Sequence, residues 1–170
     1  MKAKLIINNQ EIEVEISEEE IKKLQPKNKT GYERVEDCQE YYWVDWLGEP
    51  VKNVDNYALH HDQCYNISAN YYSDRTVAEN NARADKLMRQ LRRFAVEHRE
   101  KEIDWNDDEQ DKWRICYEPI GAHRYLKYCI SYAVQFYGEI YFDSEEIVKA
   151  AIDTFHDELI WYFTEYKDSL

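Results

Sequence analysis

Glycine is scarce: the 170 residues contain four, Gly31, Gly48, Gly121 and Gly138, well separated from one another. A Walker loop, a dinucleotide GxGxxG turn and a GxSxG nucleophile elbow all need closely spaced glycines, so those enzyme classes are excluded. Cysteine is sparse too. Cys38, Cys64, Cys116 and Cys129 make no CxxC pair, and the expectation is reduced, half-buried thiols rather than a disulfide framework. No apolar run approaches the ~20 residues that span a bilayer, and the N-terminus lacks the apolar core of a signal peptide. The chain therefore reads as cytoplasmic. Positive charge is also short, with 22 Lys and Arg against 35 Asp and Glu and a net charge of −13. Attraction of the whole molecule to phosphate or to an anionic membrane is disfavoured, and basic or neutral surfaces are the expected partners.

What the chain does have is aromatic weight. A hydrophobic fraction of 44%, with 15 Tyr and 5 Trp, specifies a folded chain. At this length roughly 70% of the unfolded surface can be buried without help from a metal. No cofactor is expected.

Residues 4–7 and 11–16 flank Asn8-Asn9-Gln10, and the second run alternates with period two, which predicts a hairpin. Ser17 with Glu20 forms a capping box for a short helix ending near Leu24. Residues 1–25 thus read as an N-terminal hairpin–helix lobe, 26–34 as a linker holding Pro26 and Gly31, and 35–170 as the main domain. Tyr41 to Trp46 reads as a strand turning at Gly48 and returning near Val51 to Val54, and a short strand is expected between Cys64 and Tyr72. From the N-cap Asp74, apolar residues at Val77, Ala84, Leu87, Met88, Leu91, Phe94 and Ala95 predict one long amphipathic helix to about Arg99. Period two then returns at Trp113, Ile115 and Tyr117, and a second, long strand carries Leu126, Tyr128, Ile130, Tyr132, Val134 and Phe136, with Pro119 to Ala122 as the turn. A strand from Glu139 to Phe142 leads to Ser144, which caps a second helix with Ile147, Val148, Ala151, Ile152 and Phe155 inward and a break near His156. Tyr72-Ser73-Asp74 and Phe142-Asp143-Ser144 form a weak repeat of aromatic, spacer and cap. The fold class is α+β: an antiparallel sheet with two main amphipathic helices packed on it, plus the N-terminal lobe.

Chemistry-bearing residues crowd once, at His60-His61-Asp62-Gln63-Cys64, but a zinc site needs two further ligands from distant cysteines, and solvated loop histidines are the plainer reading. A nuclease around His60 and His61 has still less support, because no Gly-rich turn accompanies them. Among so many carboxylates, pairs such as Glu139 with Asp143 arise by chance, and no catalytic residue is assigned. Tyr41, Tyr42, Tyr71, Tyr72, Tyr125, Tyr128 and Tyr132 could stack on bases, although such residues more often straddle core and surface.

Charge is distributed unevenly. Residues 75–101 carry eight bases, among them Arg83, Lys86, Arg89, Arg92 and Arg93, against four acids, whereas 102–111 hold Glu102, Asp104, Asp107, Asp108, Glu109 and Asp111 with no base. Residues 139–170 add nine acids, including Asp157 and Glu158, against two lysines. One reading pairs the basic helix with the acidic connector. The other makes Asp104, Asp107, Asp108, Glu109, Asp111, Asp157 and Glu158 a partner-binding surface that competes with phosphate for a basic groove.

Several stretches resemble a widespread group of small acidic proteins carried by phages, prophages and other mobile elements of Firmicutes. They are Lys4 to Val14, Thr30-Gly31-Tyr32-Glu33-Arg34-Val35, Tyr41-Tyr42-Trp43-Val44, Tyr72 with Asp74 and Ala78, Leu91-Arg92-Arg93-Phe94-Ala95, Trp113, and Ile140 to Glu146. Where the group has Gly-Asn before the aromatic near residue 70, this chain has Ala69-Asn70. Proteins of this kind include inhibitors of host defence, among them anti-CRISPR proteins acting on the type II effector nuclease. The resemblance implies a non-enzymatic inhibitor that binds a CRISPR effector with its guide RNA through acidic surfaces and blocks DNA binding or cleavage, since that target presents a positive channel. The alternative is a phage accessory protein that binds nucleic acid or a replication protein through the basic helix 75–101, by Arg83, Lys86, Arg89, Arg92 and Arg93.

Overall fold

The computed structural model describes residues 2–7, 10–15, 29–56, 64–65, 67–120 and 123–166. The helix expected from Ser17 and the His60-His61 cluster lie outside the described residues, as does the turn at residues 121–122. Strands β1 (Lys2–Ile7) and β2 (Gln10–Glu15) form the first hairpin, with Lys2 opposite Glu15 and Ile7 opposite Gln10. Strands β3 (Glu40–Val44) and β4 (Pro50–Val54) form the second, closed where Asp45 accepts the N–H groups of Leu47 and Glu49 and Gly48 sits at φ +84°. A helix α1 (Arg75–Glu97) follows. Strands β5 (Lys112–Ile120), β6 (His123–Ser131) and β7 (Tyr141–Phe142) form a three-stranded antiparallel sheet in the order β6-β5-β7. Helices α2 (Glu145–Thr154) and α3 (His156–Trp161) close the fold, and a π-helical turn runs from Tyr162 to Tyr166.

The fold is α+β. The N-terminal hairpin is a sheet of its own, and the single sheet expected in the main domain divides into two, β3-β4 and β6-β5-β7. Both helix starts follow the sequence: the Asp74 carboxylate accepts the Val77 N–H at 3.1 Å, and the Ser144 hydroxyl accepts that of Ile147 at 3.3 Å. Each satisfies a backbone donor that the helix leaves unpaired. The repeat is real at this level, because Tyr72 and Phe142 are both buried two residues before their caps.

Helix α1 spans two packing environments. Its first half buries the alanines Ala78, Ala82 and Ala84, and these small residues let the β3–β4 hairpin come close. Its second half buries Leu87, Leu91 and Ala95 in a core with Ile115, Phe142, Ile147, Val148, Ala151 and Leu159. Burial of each such large aliphatic is worth about 1.5–3 kcal/mol.

The hairpin module has its own polar lock. Asp55, fully buried, accepts the Tyr71 hydroxyl at 2.7 Å and Arg34 Nε at 3.2 Å. Tyr71 stacks on Tyr41 with ring centroids 4.4 Å apart. The described part of the expected linker is a fixed turn: Glu33 accepts the N–H groups of Thr30 and Gly31 at 2.6 and 3.0 Å, and Ser73 donates to the Gly31 carbonyl.

Four expectations are corrected. The second long strand ends at Ser131, not Phe136, because its partner β5 begins at Lys112, directly opposite Ser131, and no strand remains to pair beyond it. The strand expected near Cys64–Tyr72 reduces to one bridge between Tyr42 and Tyr72, and Cys64 and Tyr65 are helical. The strand expected over Glu139 to Phe142 is confined to Tyr141–Phe142. Cys116 and Cys129 are joined as a disulfide rather than held as thiols, since the β5–β6 register makes them diagonal neighbours with Cα atoms 6.2 Å apart. Cys38 and Cys64 are free.

Candidate interaction surfaces

The acidic connector between α1 and β5 is a built loop. Its entrance is pinned where Asp143 accepts the N–H groups of Glu100 and Lys101 at 2.8 and 2.7 Å. The Gln110 side chain staples the middle, accepting the Asp104 N–H at 2.7 Å and donating to the Glu102 carbonyl at 2.8 Å. Lys112 is completely buried beneath it, its amine donating to the carbonyls of Asp107 and Gln110 and lying 5.6 Å from the Trp105 ring centre. Trp105 in turn meets Tyr141 edge-on at 4.8 Å. The single cation at this end of the loop thus faces inward onto carbonyls, and the carboxylates face out.

Two of those carboxylates stiffen the backbone: Asp104 accepts the Asn106 N–H at 2.8 Å and Asp107 that of Glu109 at 3.0 Å. Glu102, Asp108, Glu109 and Asp111 are exposed, and no carboxylate of 102–111 enters an ion pair among the described residues. The pairing of basic helix with acidic connector, one of the two readings of the charge pattern, is therefore not what forms.

The remaining candidates separate. Glu158 receives Arg83 through two bonds of 2.8 and 3.1 Å, and the Arg83 guanidinium lies 3.9 Å from the Trp161 ring centre. One expected acidic contact and one expected basic contact are thus spent on each other. Asp157 is exposed beside His156. Arg83 and the end of α1 are about 20 Å apart at 1.5 Å per residue, so the connector and the Asp157–Glu158 pair form two patches, not one.

On the basic helix, Arg75 pairs with Glu79 and Arg93 with Glu97, each four residues on. Arg92 donates to the Met88 carbonyl at 3.1 Å. Lys86, Arg89 and Arg99 enter no ion pair among the described residues. Arg99 lies just beyond the helix end at Glu97, and Arg89, Arg92 and Val96 share one helix face by their spacing. That face borders a groove of about 790 Å3 lined by Met88, Ile103, Trp105 and Ile140 among others. The guanidinium of Arg89 also reaches the β3–β4 turn, within 3.3 Å of where a Gly48 side chain would begin, and Trp46 stands exposed in that turn.

The tyrosines divide similarly. Tyr41, Tyr71 and Tyr72 are core residues, so a base-stacking platform cannot use them, while Tyr125 and Tyr132 are exposed. Burial raises the phenols of Tyr41, Tyr71, Tyr162 and Tyr166, and that of Tyr72 to about 12. These shifts run away from neutrality, opposite to what a general base requires. Among the described residues no group of three His, Cys, Asp or Glu could hold a metal ion, and no helix is long and apolar enough to cross a membrane.

Sequence reasoning missed Lys112 and Gln110 as organisers of the connector. The only signal was a lone Lys closing an acidic run immediately before an alternating strand. No protein-family model, curated protein or solved structure matches this chain.

Proposed function

We propose that this protein is a non-enzymatic inhibitor of a host defence nucleoprotein, a type II CRISPR effector carrying its guide RNA, and that it acts in the cytoplasm of the bacterial host by occupying the positive channel meant for DNA. The observation that carries the reading is the stapled connector: exposed carboxylates that enter no ion pair among the described residues, on a loop whose backbone is already ordered. A fixed anionic loop loses little conformational entropy on docking and gains association rate from the partner's field. The resemblance to proteins of mobile elements supplies the choice of target.

The test is co-elution of the full chain with the purified effector, with and without guide RNA, followed by DNA cleavage after preincubation. Asp108→Lys with Glu109→Lys and Asp111→Lys spares the two carboxylates that hold the loop, so it removes charge without unfolding it. Loss of inhibition is expected from that variant, and full inhibition by it excludes the connector. A second reading, nucleic acid or a replication protein bound on the helix, is favoured by Lys86, Arg89 and Arg99, which enter no ion pair among the described residues, and by the approach of Arg89 to the turn that exposes Trp46. It predicts a salt-dependent shift of DNA that Lys86→Glu with Arg89→Glu and Arg99→Glu abolishes.

A further inference from the structure

Among the described strands, β6 is the longest with one edge unpaired along its whole length. It pairs with β5 on one side only, and among the described residues no backbone group from Tyr125 to Ser131 bonds to any other element. Alternate residues therefore send their N–H and C=O groups outward. Natural edges are usually blunted by charge, proline or shortness. Other described edges follow that rule: β7 has two residues, β4 carries Pro50 and Lys52, β1 carries Lys2 and Lys4, and β2 carries Glu11, Glu13 and Glu15. Strand β6 carries Arg124 and Lys127 near its start, the latter tied to Glu118 on the same sheet, and from Tyr128 to Gly138 the sequence has no charge.

The edge continues into a loop that displays apolar side chains. Tyr125, Tyr132, Phe136 and Tyr137 are 43, 54, 47 and 106% exposed, with Ile130 and Val134 beside them. The loop is held in this pose: Ser131 donates to the Val134 carbonyl, the Phe136 N–H donates to the Tyr141 hydroxyl at 2.7 Å, and Arg114 lies 4.5 Å from the Phe136 ring centre. At ~200 Å2 per aromatic side chain the four rings alone expose roughly 500 Å2. A specific interface needs about 800 Å2 from each partner, which the strand edge and the two aliphatics bring within reach.

We propose that this edge and loop bind a second copy of the chain, β6 pairing antiparallel with its equivalent across a two-fold axis so that two three-stranded sheets become one of six strands. Antiparallel self-pairing is isologous, so one surface serves both copies. Charge selects the place: two chains of −13 repel over most of their surfaces, and the run from Tyr128 to Gly138, which carries no charge, is where they can meet at least Coulombic cost. The acidic connector is not part of the contact, so the inference stands apart from the inhibitor reading.

Sedimentation equilibrium of the full chain, from micromolar to near-millimolar concentration, tests it. A monomer–dimer equilibrium is expected, and it should tighten as salt rises from about 0.05 to 0.5 M, because screening removes repulsion between like-charged copies. Tyr132→Glu with Tyr137→Glu, both exposed, should weaken it at least about tenfold with an unchanged circular dichroism spectrum, whereas Val54→Glu on the β4 edge should not. Outward β6 amides should exchange more slowly as concentration rises. A monomer throughout, a dimer indifferent to the loop variant, or a dimer that leaves β6 amides unprotected overturns the proposal.

Discussion

Replacing Asp55 should unlock the hairpin module. The carboxylate is fully buried and holds three donor atoms: Tyr71 Oη at 2.7 Å, Arg34 Nε at 3.2 Å and Arg34 Nη2 at 3.4 Å. In Asp55→Ala the Tyr71 hydroxyl loses its acceptor in a dry site, a cost of about 1–3 kcal/mol. Breaking a wholly buried ion pair costs about 3–5 kcal/mol, but the Arg34 side chain is 26% exposed and water replaces part of its lost partner. The expected total is about 3 kcal/mol, which is a large fraction of a typical domain's stability. Asp55→Asn keeps an acceptor and the shape, and should lose roughly half as much. Urea unfolding with an unchanged slope measures both. Tyr71→Phe supplies the control, since in the Asp55→Ala background its cost should fall by about 1 kcal/mol or more as the shared bond is already gone. A loss below about 0.5 kcal/mol in Asp55→Ala, or strict additivity with Tyr71→Phe, would refute the assignment of this carboxylate as the lock.

Gly31→Ala should lower stability by about 2 kcal/mol, because Gly31 sits at φ +88° and a Cβ there would lie 2.6 Å from Val77 Cγ2; an unchanged melting temperature would remove that contact from the account. Glu33, held at about 2 chiefly by the N–H groups of Thr30 and of Glu33 itself and by the Thr30 hydroxyl, against an ordinary 4.5, favours the folded state fully above pH 4.5 and progressively less as pH falls towards 2. Glu33→Gln should flatten that part of a melting-temperature profile. Tyr72, raised by burial to about 12 from 10.0, favours folding below pH 10 and loses that contribution as pH rises to 12. Alkaline unfolding in that window should move to higher pH in Tyr72→Phe, if that variant folds at neutral pH, and an unmoved transition would assign it to other tyrosines.

Helix α1 and its cap were legible because Asp74 and the stripe from Val77 to Ala95 state the same boundary at two levels, local capping and long-range burial. Ser144 and α2 were legible for the same reason. Strand β6 was overextended because Tyr132, Val134 and Phe136 continue its alternation; period two records which side chains would share a face, not whether a neighbouring strand exists to pair with. The Cys116–Cys129 link depends on register between two strands, and spacing along the chain does not encode it. Charge pattern located the connector and the basic helix, but the partners of each side chain were not readable: that Arg83 takes Glu158, while Asp108 and Glu109 take none among the described residues, follows from where α3 and the buried Lys112 come to rest.

The central claim is tested most directly by the affinity of the full chain for the guide-loaded type II effector as a function of salt, measured beside Asp108→Lys with Glu109→Lys and Asp111→Lys. The account predicts binding that weakens as salt rises through about 0.05 to 0.5 M, with the variant both weaker and less salt-dependent. Absence of binding by the native chain at low salt, or an affinity that neither salt nor the triple substitution alters, would contradict it.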